Sequence, residues 1–285
     1  TSLFEALLYD AGVVTRLGSV TDGTTVSDCD DDEKKRQLSL SAGLAYIERG
    51  GLTFNLIDTP GDSSFLADTI ASLHIVETVV MVVNSVLGVE VQTERLWNRA
   101  AERGLARVLF CNMLDRERAD FVHTVGALHE AFGPQVVAAQ LPVGKEHEFK
   151  GVIDLLAMKA YVFDDPKGGY KTVDVPEDMK NEAEGMRETM MEDIAESDEN
   201  LMEKYLEDGE ISAEDMKAGL RAGVISGSIV PAMCGSALKH IGIGPLMDVI
   251  VRYLPSPLDR GPAVGTKPGT DEVEERLPDE SAPFS

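Results

Sequence analysis

The chain has 285 residues, 43% of them hydrophobic, with 50 acids against 26 bases and a net charge of −24. That is enough apolar chain to bury one full core and a smaller second one. No run of 18 apolar residues offers a membrane span and no secretory signal precedes the first motif, so the composition reads as soluble and cytoplasmic, with no membrane partner. The acidic balance argues against a DNA-binding face, because phosphate backbones attract clustered lysine and arginine.

In chain order, TSLFEALL at 1–8 reads as an amphipathic helix led by a hydroxyl residue, and 18–36 as a polar loop. Residues 43–48 and 52–57 read as a strand pair joined through Arg49-Gly50-Gly51. The segment NLIDTPG at 55–61 is an apolar strand ending at Asp58 and a Pro-Gly turn. That order places a carboxylate and the Gly61 backbone N–H where a magnesium-bound triphosphate would sit. Residues 64–74 read as helix, and 78–84 as a continuously apolar strand of a sheet buried on both faces. A helix at 91–103, a strand at 108–112 and a helix at 119–132 follow.

The strand RVLFCN ends in NMLD, which sets Asn112 and Asp115 three residues apart. An amide and a carboxylate so spaced can read the edge of guanine: Asn112 toward N7 and O6, Asp115 accepting from N1–H and the 2-amino group. Met113 lies between them. The core resumes with a strand at 228–234, then CGSALK, whose Ser236, Ala237 and Leu238 offer backbone N–H groups to a purine oxygen. A helix at 244–254 ends at Pro255-Ser256-Pro257, and 261–282 is a linker rich in Pro, Gly and acids. Each motif alone is weak. All three in this order, each just after a strand, point to a GTP-binding α/β domain with a mostly parallel sheet.

The phosphate loop of such domains reads G-x-x-x-x-G-K-[ST] and opens a helix with its hydroxyl residue. Thr1, followed by Ser2, fits its final position, with the glycines and lysine expected upstream. The alternative is that Thr1 is an ordinary N-cap.

Longer stretches carry a resemblance. TDGTT at 21–25, MLDRERADF at 113–121, LPVGKEHEFKGVIDLLAMKA at 141–160 and GPLMDVIVRYLPSPLD at 244–259 resemble the nucleotide-binding half of bacterial translation elongation factor G, across the whole chain. The resemblance implies a P-loop GTPase-type fold with helices on both faces of the sheet and an inserted α+β subdomain. It places the first part of the GTP-binding domain at 1–132, the insert at 133–222 and the last part at 223–259. Residues 260–285 are then a linker and the start of a β-barrel domain, with Ala282-Pro283-Phe284-Ser285 its first strand. GTP or GDP and Mg2+ are the implied ligands. The ribosome is the implied partner, with ribosomal RNA near the nucleotide and the stalk protein at the insert. The GKE…FKGVIDL stretch disfavours the class-3 release factor and tetracycline-protection proteins, which share the core.

In the family, Thr1 and Ser39 would supply magnesium ligands through their hydroxyls, Asp58 would hold the ion through water, and Gly61 N–H would sense the γ-phosphate. The chain departs from the family at three places. DTPGH becomes DTPGD, so Asp62 replaces a histidine that positions the attacking water. RGIT becomes Arg36-Gln37-Leu38-Ser39, and NKxD loses its lysine to Met113. These changes favour an elongation-factor-G-like paralogue. Asp62 is open to two readings, a cap on the next helix with reduced catalysis, or a base if its pKa rises. Two functions follow: a ribosome-stimulated GTPase, or a GTP-dependent ribosome-binding module with little hydrolysis.

The remaining features are structural. Residues 164–217 hold 19 acids and 6 bases, within a helical pattern at about 176–206. They form either a solvated face over an apolar stripe or a docking face for a basic partner. Cys29, Cys111 and Cys234 have no metal spacing and read as reduced thiols. The five histidines form no catalytic motif, and Trp97 reads as a partly buried packing residue.

Overall fold

The computed structural model describes residues 1–165, 169–279 and 281–282, with only the backbone of residue 208; the strand start read at 283–285 lies outside them. The centre is a parallel sheet of β3 (Thr78–Asn84), β4 (Ala106–Asn112), β10 (Val230–Cys234) and β5 (Val136–Ala138), in the spatial order β3-β4-β10-β5. Strand periodicity sorts its side chains to two faces. On β4, Ala106, Val108 and Phe110 meet α1 (Ser2–Asp10), α8 (Ala213–Ser226) and α9 (Ile243–Tyr253). Leu109 and Cys111 face the other way, onto Trp97 of α4 (Val91–Glu102) and Phe121, Leu128 and Phe132 of α5 (Phe121–Phe132). Every residue of β4 is buried. This is an α/β fold with a parallel sheet flanked by helices and an added subdomain.

β3 differs from expectation. Its span is as read, but it is not buried on both faces: it pairs only with β4 among the described strands, and Val82 is 50% exposed. The preceding β1 (Gly43–Arg49) and β2 (Leu52–Asp58) form their own antiparallel ribbon, turned through Gly50 and Gly51 at φ 61° and 78°.

Several elements escaped the sequence reading, the four strands of the insert among them. The run DDEKKR forms α2 (Asp31–Arg36), with acids in its first turn and bases in its last, the distribution that suits the helix dipole. It lacks an apolar stripe, so periodicity could not find it. Val136–Ala138 joins the central sheet as β5. The linker contains an antiparallel hairpin, β11 (Ala263–Thr266) with β12 (Val273–Arg276). The stretch read as one helical pattern is two helices, α6 (Lys180–Glu196) and α7 (Glu199–Asp208), broken where Asp198 caps the second by accepting from Asn200 and Leu201 N–H.

The insert pairs β6 (Gln140–Val143), β7 (Gly151–Asp154), β8 (Lys159–Phe163) and β9 (Tyr170–Asp174) in an antiparallel sheet. It meets the core where Arg118 N–H donates to Glu146 at 2.7 Å. That bond ties the GKE turn to the loop after Asp115. Gly144 is required there, because a Cβ would lie 2.1 Å from the Glu148 carbonyl oxygen.

Candidate nucleotide-binding site

Parallel sheets of this kind bind ligands beyond the carboxyl ends of their strands. β4 and β10 run side by side, so the loops that follow Asn112 and Cys234 emerge together. Asn112 Oδ1 accepts from Ala237 N–H at 2.9 Å, a buried bond between residues 125 apart. Gly235 N–H donates to the Cys111 carbonyl at 3.0 Å, and Leu114 N–H to the Gly235 carbonyl at 3.3 Å. Gly235 has no room for a side chain: a Cβ would lie 2.5 Å from the Phe110 ring.

This locking assigns the polar groups. Ser236 N–H goes to the Ile241 carbonyl, and Ser236 Oγ accepts from Lys239 N–H at 3.1 Å. With Ala237 N–H on Asn112, the Leu238 N–H is the one of the three with no partner among the described residues, and Leu238 is 60% exposed. Asn112 Oδ1 is spent on the loop, and no acceptor for its Nδ2 is recorded among the described residues. Asp115 is buried beside it. Met113 stands at φ 66° and 38% exposed, its apolar stem available to cover a ring.

A second constellation gathers Thr1, Ser39 and Asp58, from three separate segments. The Thr1 backbone nitrogen lies 3.0 Å from Asp58 Oδ1. Thr1 Oγ1 lies 2.8 Å from Ser39 Oγ, and Ser39 Oγ donates to Asp28 Oδ1 at 2.7 Å. With the Ser39 hydrogen committed, Thr1 is the donor to Ser39. Ser27 Oγ donates to Asp58 Oδ2 at 2.7 Å. Ser2, by contrast, is exposed at the start of α1 and stands outside the cluster.

Asp28 and Ser27 were missed by the sequence reading. Asp28 is only 3% exposed, yet it sits among Asp22, Asp30, Asp31, Asp32 and Glu33, so composition did not single it out. The cluster offers hydroxyl and carboxylate oxygens and no nitrogen or sulfur side chain. That is the donor chemistry magnesium takes, completed by phosphate oxygens and water. Among the described residues no group of three His, Cys, Asp or Glu forms a metal site of its own.

Asp62 accepts from Ser64 N–H at 2.8 Å and caps the 3-10 turn Ser63–Phe65 ahead of α3 (Leu66–Ser72). The Ser64 backbone N–H and hydroxyl hold its carboxyl below the usual range. This is the bond that the cap reading expects, whereas the base reading needs the opposite shift. The Pro-Gly turn before it is fixed by Thr69 Oγ1, which donates to the Pro60 carbonyl at 2.9 Å, and Gly61 is exposed. Burial pushes the Cys111 thiol up to about 12 and that of Cys234 well above its ordinary value, so both are inert packing groups. Trp97 is buried more fully than expected, stacked on Phe132 at 4.1 Å with the Arg107 guanidinium 4.3 Å from its ring centre.

A parallel sheet whose paired loops close over its carboxyl edge, with a hydroxyl–carboxylate cluster contributed by three segments, defines a nucleotide-binding α/β domain. The profile described as the elongation factor Tu GTP binding domain matches residues 1–256, and the chain belongs to that family. It is thus a guanine-nucleotide-binding G domain of the elongation-factor type, with a GTPase-type fold. A crystal structure of a protein from Thermus thermophilus is similar over 93% of this chain, with 31% identity and a TM-score of 0.86; the chain spans 40% of that protein's length. No helix among the described residues is long and apolar enough to cross a membrane.

Proposed function

We propose that the chain is the nucleotide-binding half of an elongation-factor-G-like GTPase, a paralogue whose GTP hydrolysis is coupled to a step of translation such as translocation on the ribosome. The observation that carries this reading is the convergence of Thr1, Ser39 and Asp58 on one hydrogen-bonded cluster. In it, Thr1 and Ser39 would hold Mg2+ through their hydroxyls and Asp58 would hold it through water, with Asp28 orienting Ser39. The ion supplies charge neutralisation of the phosphates. Asn112 Nδ2 and Leu238 N–H donate to the guanine edge, Asp115 accepts from N1–H and the 2-amino group, and Gly61 N–H meets the γ-phosphate. Loss of that phosphate would remove a tie on the segment around Ser39 and turn hydrolysis into a conformational signal. The ribosome would provide the activating surface, with ribosomal RNA near the nucleotide and the stalk protein on the insert.

The test is multiple-turnover GTP hydrolysis by the full-length protein with and without ribosomes, together with Asp115→Asn. That variant leaves two guanine donors unmet and should weaken GTP binding by about 1–3 kcal/mol while admitting xanthine nucleotides. Unchanged GTP affinity and selectivity would remove the base assignment. Tight GTP binding without ribosome-stimulated turnover would leave a nucleotide-dependent ribosome ligand.

A further inference from the structure

We infer that Glu146, on the insert, is a positioning residue for base recognition: it fixes the turn that presents Asp115 to guanine. The inference deepens the proposed function and rests on it for the role of Asp115. Residues 113–119 make two successive turns. Arg116 N–H closes the first on the Met113 carbonyl at 3.0 Å, and Ala119 N–H closes the second on the Arg116 carbonyl at 3.2 Å. Met113 opens the first at φ 66° and Arg118 lies within the second at φ 67°. A Cβ disfavours that left-handed conformation, so such a backbone persists only where its surroundings hold it.

Two grips hold this one. Leu114 N–H, just before Asp115, donates to the Gly235 carbonyl at 3.3 Å and ties the turn to the loop after β10. Arg118 N–H, just after it, donates to Glu146 Oε1 at 2.7 Å and ties the turn to the insert. The second bond is the shorter, and its acceptor is a carboxylate, which makes it the stronger kind. Asp115 is 8% exposed, and its own carboxylate oxygens have no hydrogen-bond partner among the described residues. The backbone of the turn therefore sets its aim.

Docking of the insert does not need a carboxylate at this place. Gly144 fits against the Glu148 carbonyl, and Phe149 is buried in the same apolar cluster as Leu114 and Ala119. Glu146 adds a directed bond to one backbone N–H of the base-reading loop. Its own seat is fixed, because Phe149 N–H closes on the Glu146 carbonyl at 3.0 Å. Without that bond Arg118 is free to leave its left-handed conformation, and Asp115 moves with it. Guanine recognition is sensitive to such a shift, since N1–H and the 2-amino group have to be met together.

The test is equilibrium titration of the full-length protein with GDP and with IDP, both in Mg2+. IDP keeps N1–H and lacks the 2-amino group. The ratio of the two affinities thus reads the second Asp115 bond and cancels any change in the folded fraction. Glu146→Ala should lower that ratio by about three- to tenfold. Glu146→Asp keeps the charge but is one methylene short, and should lower it similarly; this milder change decides the matter if the alanine variant does not fold. Glu146→Gln keeps an oxygen at the same reach and should stay near the parent. Asp115→Asn gives the ratio expected when the base contact itself is lost. A parental ratio in the alanine and aspartate variants, beside a lowered one in Asp115→Asn, would overturn this inference and leave the base assignment standing. Equal losses for GDP and IDP would overturn it too, by showing a purely structural role. A parental ratio in Asp115→Asn would remove the base assignment and this inference together.

Discussion

Single residues carry most of what separates this chain from its family. Gln37 takes the place of a glycine at φ 54°, a left-handed conformation that costs a residue with a side chain roughly 1 kcal/mol. Its amide, bonded to the Thr21 carbonyl, offsets part of that cost. By the resemblance to elongation factor G, Asp62 stands where that family has a water-positioning histidine, and here it is engaged as a cap. The transition state of phosphoryl transfer spreads negative charge over the γ-oxygens, which an ionised carboxylate nearby opposes. Asp62→His should therefore leave the GTP dissociation constant nearly unchanged and raise ribosome-stimulated turnover, by up to about 10²-fold. Stopped-flow nucleotide binding and phosphate release on the same preparation check both halves; turnover no faster than the parent's would show that Asp62 does not limit the reaction. Thr1, Asp58, Asn112 and Asp115 were singled out by order and spacing, and Ser39 by the family resemblance alone. Asp28 was not, because one buried acid among several exposed ones looks alike in a sequence.

Elements followed the apolar pattern closely where one existed. β3 was read to the residue, and β4 and α5 to within two. The pattern gave no purchase on α2, which is held by charge and capping, nor on the exposed hairpin β11–β12. It also misjudged the surroundings of β3, since a run of valines is silent about which neighbours pair with it. The acidic insert has one element-level anomaly. Asp193 of α6 is raised to about 6 by burial and by the charges of Glu196 and Glu192, against the opposing pull of His129 on α5. The folded state therefore binds this proton more tightly than the unfolded chain, whose carboxyl titrates near 3.8. Stability is greatest below that value and declines as pH rises toward 6. Asp193→Asn should gain about 1–2 kcal/mol at pH 7.5 and little at pH 4. Urea unfolding at the two pH values measures the difference, and an equal shift at both would assign the gain to packing.

At the scale of the molecule, the charge is divided unevenly: 164–217 contributes −13 of the total −24. This section is built mainly of β9 and helices α6 to α8, which pack through Met190, Ile194, Leu201, Met216 and Leu220 and turn most of their acids outward. The insert and the sheet are nonetheless joined, through α8 onto β4 and α9 and through Glu146 onto the loop after Asp115. The last residue of α1, Asp10, accepts from Arg49 at 2.8 Å, and Arg49 also holds Asp248 of α9 at 3.0 Å. His240, two residues past Leu238, lies 3.6 Å from the same Asp10. The helix that begins at Thr1 and the loop that follows β10 thus share one charged junction.

The placement of β10 between β4 and β5 has a consequence for how the molecule comes into being. A chain emerges from its own synthesis in one direction, at roughly 5–20 residues per second, so the 125 positions from Asn112 to Ala237 take roughly 6–25 s to appear. From residue 138 onward the nascent protein carries two apolar strands, each with an open edge for a neighbour not yet made. Such edges invite pairing with foreign strands. Those edges stay open until β10 arrives, and the two loops proposed to hold the base come together only then.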